Sequence, residues 1–209
     1  IAKLTAIKFD ELPLKDAMVY KQGSGKRRLA VFGDPNCGYC KRLERDLVAL
    51  KDVTIYSFVY PVLGPDSDVK SRAIWCSKDS AKAWRAWMLD GVAPARSMGE
   101  CNTAAIERNV AFGRKYRING TPALVFEDGE RVSGAMSGPD LEKRLAEARA
   151  QLVVLGERDH FEILRTLVAA GLEHRHALRA QINDAAEGLA LAHRPGDGAA
   201  GHPALALDL

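Results

Sequence analysis

A chain of 209 residues has room for one domain, or for one domain and a smaller appendage. Hydrophobic residues make up 47% and charged residues 27%, as in ordinary soluble globular proteins; 30 basic residues are interspersed with 27 acidic ones, for a formal charge of +3. This balance argues against nucleic acid or an anionic membrane surface as a partner, and no apolar run approaches the roughly 20 residues that span a bilayer.

The chain opens at Ile1 with no signal-peptide pattern, and is read as a mature or truncated product. Residues 1–17 carry scattered apolar positions around Pro13 and read as a linker with a short helix. Met18–Gln22 and Arg28–Gly33 flank the turn Gly23-Ser24-Gly25, which predicts a β-hairpin. Its second strand contains Leu29-Ala30-Val31-Phe32, a short continuous apolar run of the kind buried in a central sheet. Asp34-Pro35-Asn36 breaks that strand, and Leu43, Leu47, Val48 and Leu50 then recur at helical spacing.

Val53–Tyr60 alternates aromatic and β-branched residues and predicts the next strand, ended by Pro61. Residues 67–102 are helical in character, with Trp75, Trp84 and Trp87 at apolar positions and breaks near Pro94 and Gly99. A further helix is predicted from Thr103 to Tyr116. Thr121-Pro122 closes a turn, strands follow at Ala123–Phe126 and Glu130–Ser133, and Ser137-Gly138-Pro139 opens a last helix. The order β-α-β, helical insertion, β-β-α is that of an α/β, thioredoxin-like fold over residues 18–150.

Residues 151–209 read as a C-terminal helical extension. Phe161, Leu164, Leu167 and Val168 form one apolar stripe, and Leu178, Ile182, Ala185 and Leu189 form another, separated near Gly171. Beyond Arg194 the chain is rich in Gly, Ala and Pro and is expected to be flexible. The two stripes need cover, either from their own domain or from a second chain; pairing into a homodimer is the expectation. All five histidines, His160, His174, His176, His193 and His202, lie in this tail without tight ligand spacing.

Chemistry is carried by the four cysteines. Cys37 and Cys40 form a C-x-x-C, while Cys76 and Cys101 stand singly, 25 positions apart. Zinc prefers two close pairs, or one pair with nearby histidines. One close pair with two isolated cysteines fits a redox pair plus a separate structural disulfide better, in an oxidising compartment. Two unrelated buried thiols remain the alternative for Cys76 and Cys101.

Thiol–disulfide exchange needs one thiolate to attack and a second thiol to release the mixed disulfide. At a helix start, the first sulfur sits beside free backbone N–H groups that favour its ionised form. Cys37 is therefore read as the nucleophile and Cys40, a turn further in and less exposed, as the resolving thiol. Lys41, Arg42 and Arg45 add positive charge nearby. The pair alone is weak, since metal knuckles and plain disulfides share it; its place after an apolar strand, and Thr121-Pro122 before a later one, strengthen it. Taken singly, Thr121-Pro122 is equally an ordinary trans turn.

Phe32-Gly33-Asp34-Pro35-Asn36-Cys37-Gly38-Tyr39-Cys40-Lys41-Arg42-Leu43-Glu44 closely resembles the active site of the DsbC/DsbG-type periplasmic disulfide isomerases. Tyr60-Pro61, Asp66-Ser67-Asp68 and Ala73–Asp79 resemble that family's helical insertion, and Asn119-Gly120-Thr121-Pro122-Ala123 resembles its cis-proline loop. The likeness runs from about Leu12 to Ala148. It implies a periplasmic enzyme, without cofactor or metal, that reduces or reshuffles wrong disulfides in secreted proteins and is kept reduced by a membrane electron donor of the DsbD type. It also implies catalytic Cys37 and Cys40, an active-site loop of Gly38, Tyr39, Thr121 and Pro122, and a structural disulfide between Cys76 and Cys101.

Two departures stand out. The family's isomerases dimerise through an N-terminal domain, whereas 36 residues precede Cys37 here, which puts isomerisation in question but not thiol exchange. The tail has no counterpart in the family. In addition, Val31 occupies the position six before Cys37 where thioredoxin carries a buried aspartate. A metal-binding module built from Cys37, Cys40 and tail histidines, and a chaperone-like binding domain, are the competing classes.

Overall fold

A computed structural model of the chain describes residues 6–94 and 100–154, with scattered helical positions between 165 and 183. The chain divides into two units, Ile1–Gly156 and Glu157–Leu209. Both predicted tail stripes lie almost wholly outside the described residues, as do all five histidines. Among the described residues, no helix is long and apolar enough to cross a membrane.

Unit 1 is built on a five-stranded mixed sheet in the order β1-β3-β2-β4-β5. Its strands are β1 (Met18–Gln22), β2 (Arg27–Gly33), β3 (Val53–Val59), β4 (Ala123–Phe126) and β5 (Arg131–Ser133). Between β2 and β3 lies α1 (Gly38–Val48). Between β3 and β4 lie α2 (Pro65–Trp75), α3 (Ser80–Asp90) and α4 (Ala104–Lys115). Helix α5 covers residues 138–154, so it runs past the boundary expected at 150. These elements realise the α/β, thioredoxin-like architecture with its helical insertion.

The predicted hairpin does not form: β1 pairs antiparallel with β3, and β3 pairs parallel with β2. The reason lies in the two patterns. β2 is apolar on both faces and takes a neighbour on each side, β3 and β4, whereas β1 alternates buried and exposed residues as an edge strand does. The β2-α1-β3 crossover delivers β3 beside β2, and Asp52 at its start accepts the Ser24 N–H at 2.8 Å, holding the turn against the newcomer strand.

Alternation along the strands divides the core. Leu29 and Val31 face α1, α3 and α5, where they meet Leu43, Leu47, Trp84, Met88, Leu141 and Leu145. Ala30 and Phe32 face the other way, toward Phe58, Tyr60, Ile118 and the α4 side chains Val110 and Phe112. Residues 6–17 belong to this second layer rather than forming a connector: Ile7, Phe9 and Leu12 are buried in it, and two single 3-10 turns carry the chain across. Gly113 lets α4 approach closely, since an added Cβ would lie 2.4 Å from the Tyr60 ring.

Candidate active site

The buried strand β2 stops at Gly33 because Asp34-Pro35-Asn36 turns the chain out of the sheet and into α1. Gly33 leaves room for the Trp84 ring, which an added Cβ would meet at 3.1 Å. The Asp34 carbonyl accepts the Cys37 N–H at 3.1 Å, and the Pro35 carbonyl accepts the Trp87 indole N–H at 2.6 Å. The ammonium groups of Lys41 and Lys70 lie 4.5 and 5.1 Å from the centre of a Trp87 ring, so the insertion holds two cations beside the turn.

Cys37 is itself the N-cap of α1: its sulfur accepts the Cys40 N–H at 3.2 Å, the place an oxygen acceptor commonly takes. The Cys37 thiol also donates to the Thr121 carbonyl at 3.3 Å, and the Thr121–Pro122 bond is cis. Thus Cys37, Cys40 and Thr121-Pro122, 84 residues away in the chain, meet at one point. Both cysteines are free.

The expected contrast in exposure is not seen, Cys37 being 5% and Cys40 4% exposed. What separates them is surroundings. Burial pushes the Cys40 thiol well above its ordinary value, aided by its hydrogen bond with Cys37 and opposed by the Asp34 backbone and the Thr121 side chain. Among the described residues, the buried Thr121 hydroxyl finds no hydrogen-bond partner. The hydroxyl stands near enough to the Cys40 sulfur to act against the effect of burial.

Tyr39, 67% exposed, stands at the entrance. A cavity of about 560 Å³ opens beside it, lined by Arg42 and Asp46 of α1, Thr121, and Met136 and Ser137 ahead of α5. Gly38 has open space around it, as a position in an approach path requires. Beneath the site, buried Glu44 of α1 accepts the Trp84 indole N–H at 3.1 Å and Arg85 Nε at 3.3 Å, both from α3. Burial raises the Glu44 carboxyl above its usual range, with Trp84 and Arg85 acting against it.

Cys76 and Cys101 are bonded to each other, S–S 2.07 Å, joining the end of α2 to the segment ahead of α4. Among the described residues, no group of three or more His, Cys, Asp or Glu side chains is placed to hold a metal ion. Sequence reading did not single out Asp34, Glu44 or Trp87 as parts of the site. Asp34 reads as a strand breaker, and the signal for more was its place within the stretch Phe32–Glu44 that resembles the family's active site.

A family model for a thioredoxin-like domain matches residues 14–149. The probable thiol:disulfide interchange protein DsbC of Bordetella parapertussis is 49% identical over 143 residues, covering 68% of this chain and 50% of that protein. The thiol:disulfide interchange protein DsbC of Escherichia coli is 33% identical over 138 residues, covering 64% and 56%. The chain thus spans about half the length of these curated relatives. A crystal structure of a disulfide interchange protein from Neisseria gonorrhoeae superposes with a TM-score of 0.61 at 38% identity, covering 66% of this chain and 98% of that one. With its strand order, its cis-proline loop and its free C-x-x-C pair, the chain belongs to the thioredoxin-like family, among the relatives of the DsbC thiol:disulfide interchange proteins.

Proposed function

We propose that this chain is a thiol–disulfide oxidoreductase that reduces or isomerises wrong disulfides in secreted proteins through Cys37 and Cys40. The observation that carries the reading is the meeting of Cys37 Sγ with the Cys40 N–H and with the carbonyl that precedes a cis proline. An N–H aimed at a sulfur stabilises the negative charge it carries in exchange chemistry. The Cys37 thiolate attacks one sulfur of a client disulfide, and the other sulfur leaves as a thiolate and takes a proton. Cys40 gives up its proton to solvent and attacks the Cys37 sulfur of the mixed disulfide, and the second client sulfur leaves as a thiolate and takes a proton. The client leaves reduced, and Cys37 and Cys40 leave oxidised to a disulfide.

In isomerisation a different client thiolate attacks the client sulfur of the mixed disulfide instead, which forms a new client disulfide and releases Cys37 as a thiolate without net electron transfer. In reduction, two electrons must return from a donor dithiol, and family likeness points to a membrane donor of the DsbD type. The Cys76–Cys101 bond fits an oxidising compartment, which supports a periplasmic location. The relatives' extra length and the apolar stripes of the tail leave a homodimer as the assembly to test, by light scattering of the full chain against one ending at Gln151. Function is tested by refolding a scrambled multi-disulfide protein beside an insulin-reduction assay. Activity in both that disappears in Cys37→Ser is the expected result; activity that survives it removes the reading.

A further inference from the structure

The carboxylate of Asp34 takes no part in the electron bookkeeping above, yet it gathers more of the entrance than its place in a turn would require. Asp34 is fully buried, where a carboxylate is costly unless its oxygens are well supplied with donors. Here the supply is complete. Oδ1 accepts the Asn36 N–H and the Ser67 hydroxyl, each at 2.8 Å, and Oδ2 accepts the Val62 N–H at 2.8 Å and the Leu63 N–H at 3.0 Å.

Those donors come from three places: the turn that presents Cys37, the loop that leaves β3, and the first turn of α2. The Asp34 carbonyl holds the Cys37 N–H as well, at 3.1 Å. Asn36, the residue before Cys37, extends the mesh by donating from Nδ2 to Asp66 at 2.7 Å and to Ser67 Oγ at 3.0 Å. A single acceptor-only group therefore fixes the backbone ahead of the sulfur and the neighbouring loop together.

We propose that Asp34 is a positioning residue for the exchange reaction, holding the Cys37 turn and the 61–64 loop in the one geometry that lets an incoming disulfide reach Cys37 beside the cis proline. The proposal rests on the reading of Cys37 as the attacking sulfur. It demands an acceptor on both sides of the group. Asparagine in place of Asp34 sets an NH₂ donor against N–H donors whichever way its amide turns. Turned toward Ser67, it strands the Asn36 N–H; turned the other way, it strands both the Val62 and the Leu63 N–H groups. The same loop exposes Val62 and Leu63, so its release alters the wall of the entrance as well.

The test uses the full chain in wild-type, Asp34→Asn, Ser67→Ala and Cys37→Ser forms. Single-turnover reduction of a synthetic peptide disulfide is followed over a range of peptide concentrations, well below each melting midpoint, and scaled to the folded fraction. Asp34→Asn is expected to lower the maximal rate about tenfold, with the half-saturating concentration moving less, because misplacing a nucleophile by a fraction of an ångström costs that much. Ser67→Ala, which removes one of the four donors, is expected to lower it by a smaller factor and carries the test if Asp34→Asn does not fold. A merely structural role would lower the melting midpoints and leave the rates per folded molecule at the wild-type value, and that result overturns the proposal. Exchange persisting in Cys37→Ser would instead overturn the functional reading itself, and this proposal with it.

Discussion

Two cysteine pairs sit in one domain under opposite arrangements. Cys37 and Cys40 share the first turn of a helix and are free, while Cys76 and Cys101, 25 residues apart, are bonded. Around the first pair the chain is fastened by other means: Cys40 N–H on Cys37, Cys37 on Thr121, and the Asp34 mesh across three elements. Around the second, α2 buries only Ser67, Ser71 and Ile74, and Trp75 reaches across to the Asn102 carbonyl at 3.1 Å. A sulfur bridge replaces core where core is thin, and two thiols stay available for chemistry where the scaffold already holds without them.

The sharpest way to break this comparison is to remove one sulfur from each pair. Cys37→Ser is expected to lower insulin reduction by more than about a thousandfold, because a hydroxyl cannot supply the attacking anion at neutral pH. The double replacement Cys76→Ser/Cys101→Ser is expected to leave the rate per folded molecule within about twofold, since the bridge touches none of the reacting atoms. Cys40→Ser falls between: attack proceeds, and a client-linked mixed disulfide accumulates on non-reducing gels.

Stability should invert that ranking. Loss of the Cys76–Cys101 bridge is expected to cost about 3–4 kcal/mol in urea unfolding, the chain-entropy value for a loop of this length. Mild reductant should open an oxidised Cys37–Cys40 pair first and leave Cys76–Cys101 intact, as read by thiol titration. Within the reactive pair, burial holds the Cys40 thiol up, so brief iodoacetamide treatment near pH 7 should label Cys37 first, as peptide mass mapping would show.

The smallest effect concerns the link between the two regions, Glu44 of α1 with Trp84 and Arg85 of the insertion. Its carboxyl stands above the ordinary value of 4.5, mainly through burial, so the folded chain keeps a proton that the unfolded chain releases. That group's contribution is therefore fully present below pH 4.5 and is lost as pH rises through the folded value. Comparing urea stability of wild-type and Glu44→Gln from pH 4 to 8 isolates it: the variant should lack this segment of decline. Asp16 runs the other way, held below its ordinary value by Arg108, and loses its contribution as pH falls.

Strand positions were legible because apolar runs such as Leu29–Phe32 mark themselves, and the cysteine pair was legible because its chemistry needs that spacing. Pairing of β1 was not. A Gly-Ser-Gly turn is local and suggests a hairpin, whereas the insertion of β3 is decided by a crossover some thirty residues later. The burial of Ile7, Phe9 and Leu12 was hidden too, since two single turns carry no period. Asp34 illustrates the limit at the site: its side-chain partners Val62, Leu63 and Ser67 stand 28 to 33 positions away, and nothing beside it in the chain announces them.

The sheet ends carry one more consequence. β5 has only three residues, and β1, at the other end of the strand order, exposes Lys21. Open edges recruit stray strands, and brevity and charge are the usual deterrents. Under the proposed function such strands would be met constantly, and these edges would let the chain touch misfolded clients at the cysteine pair without being drawn into their aggregates.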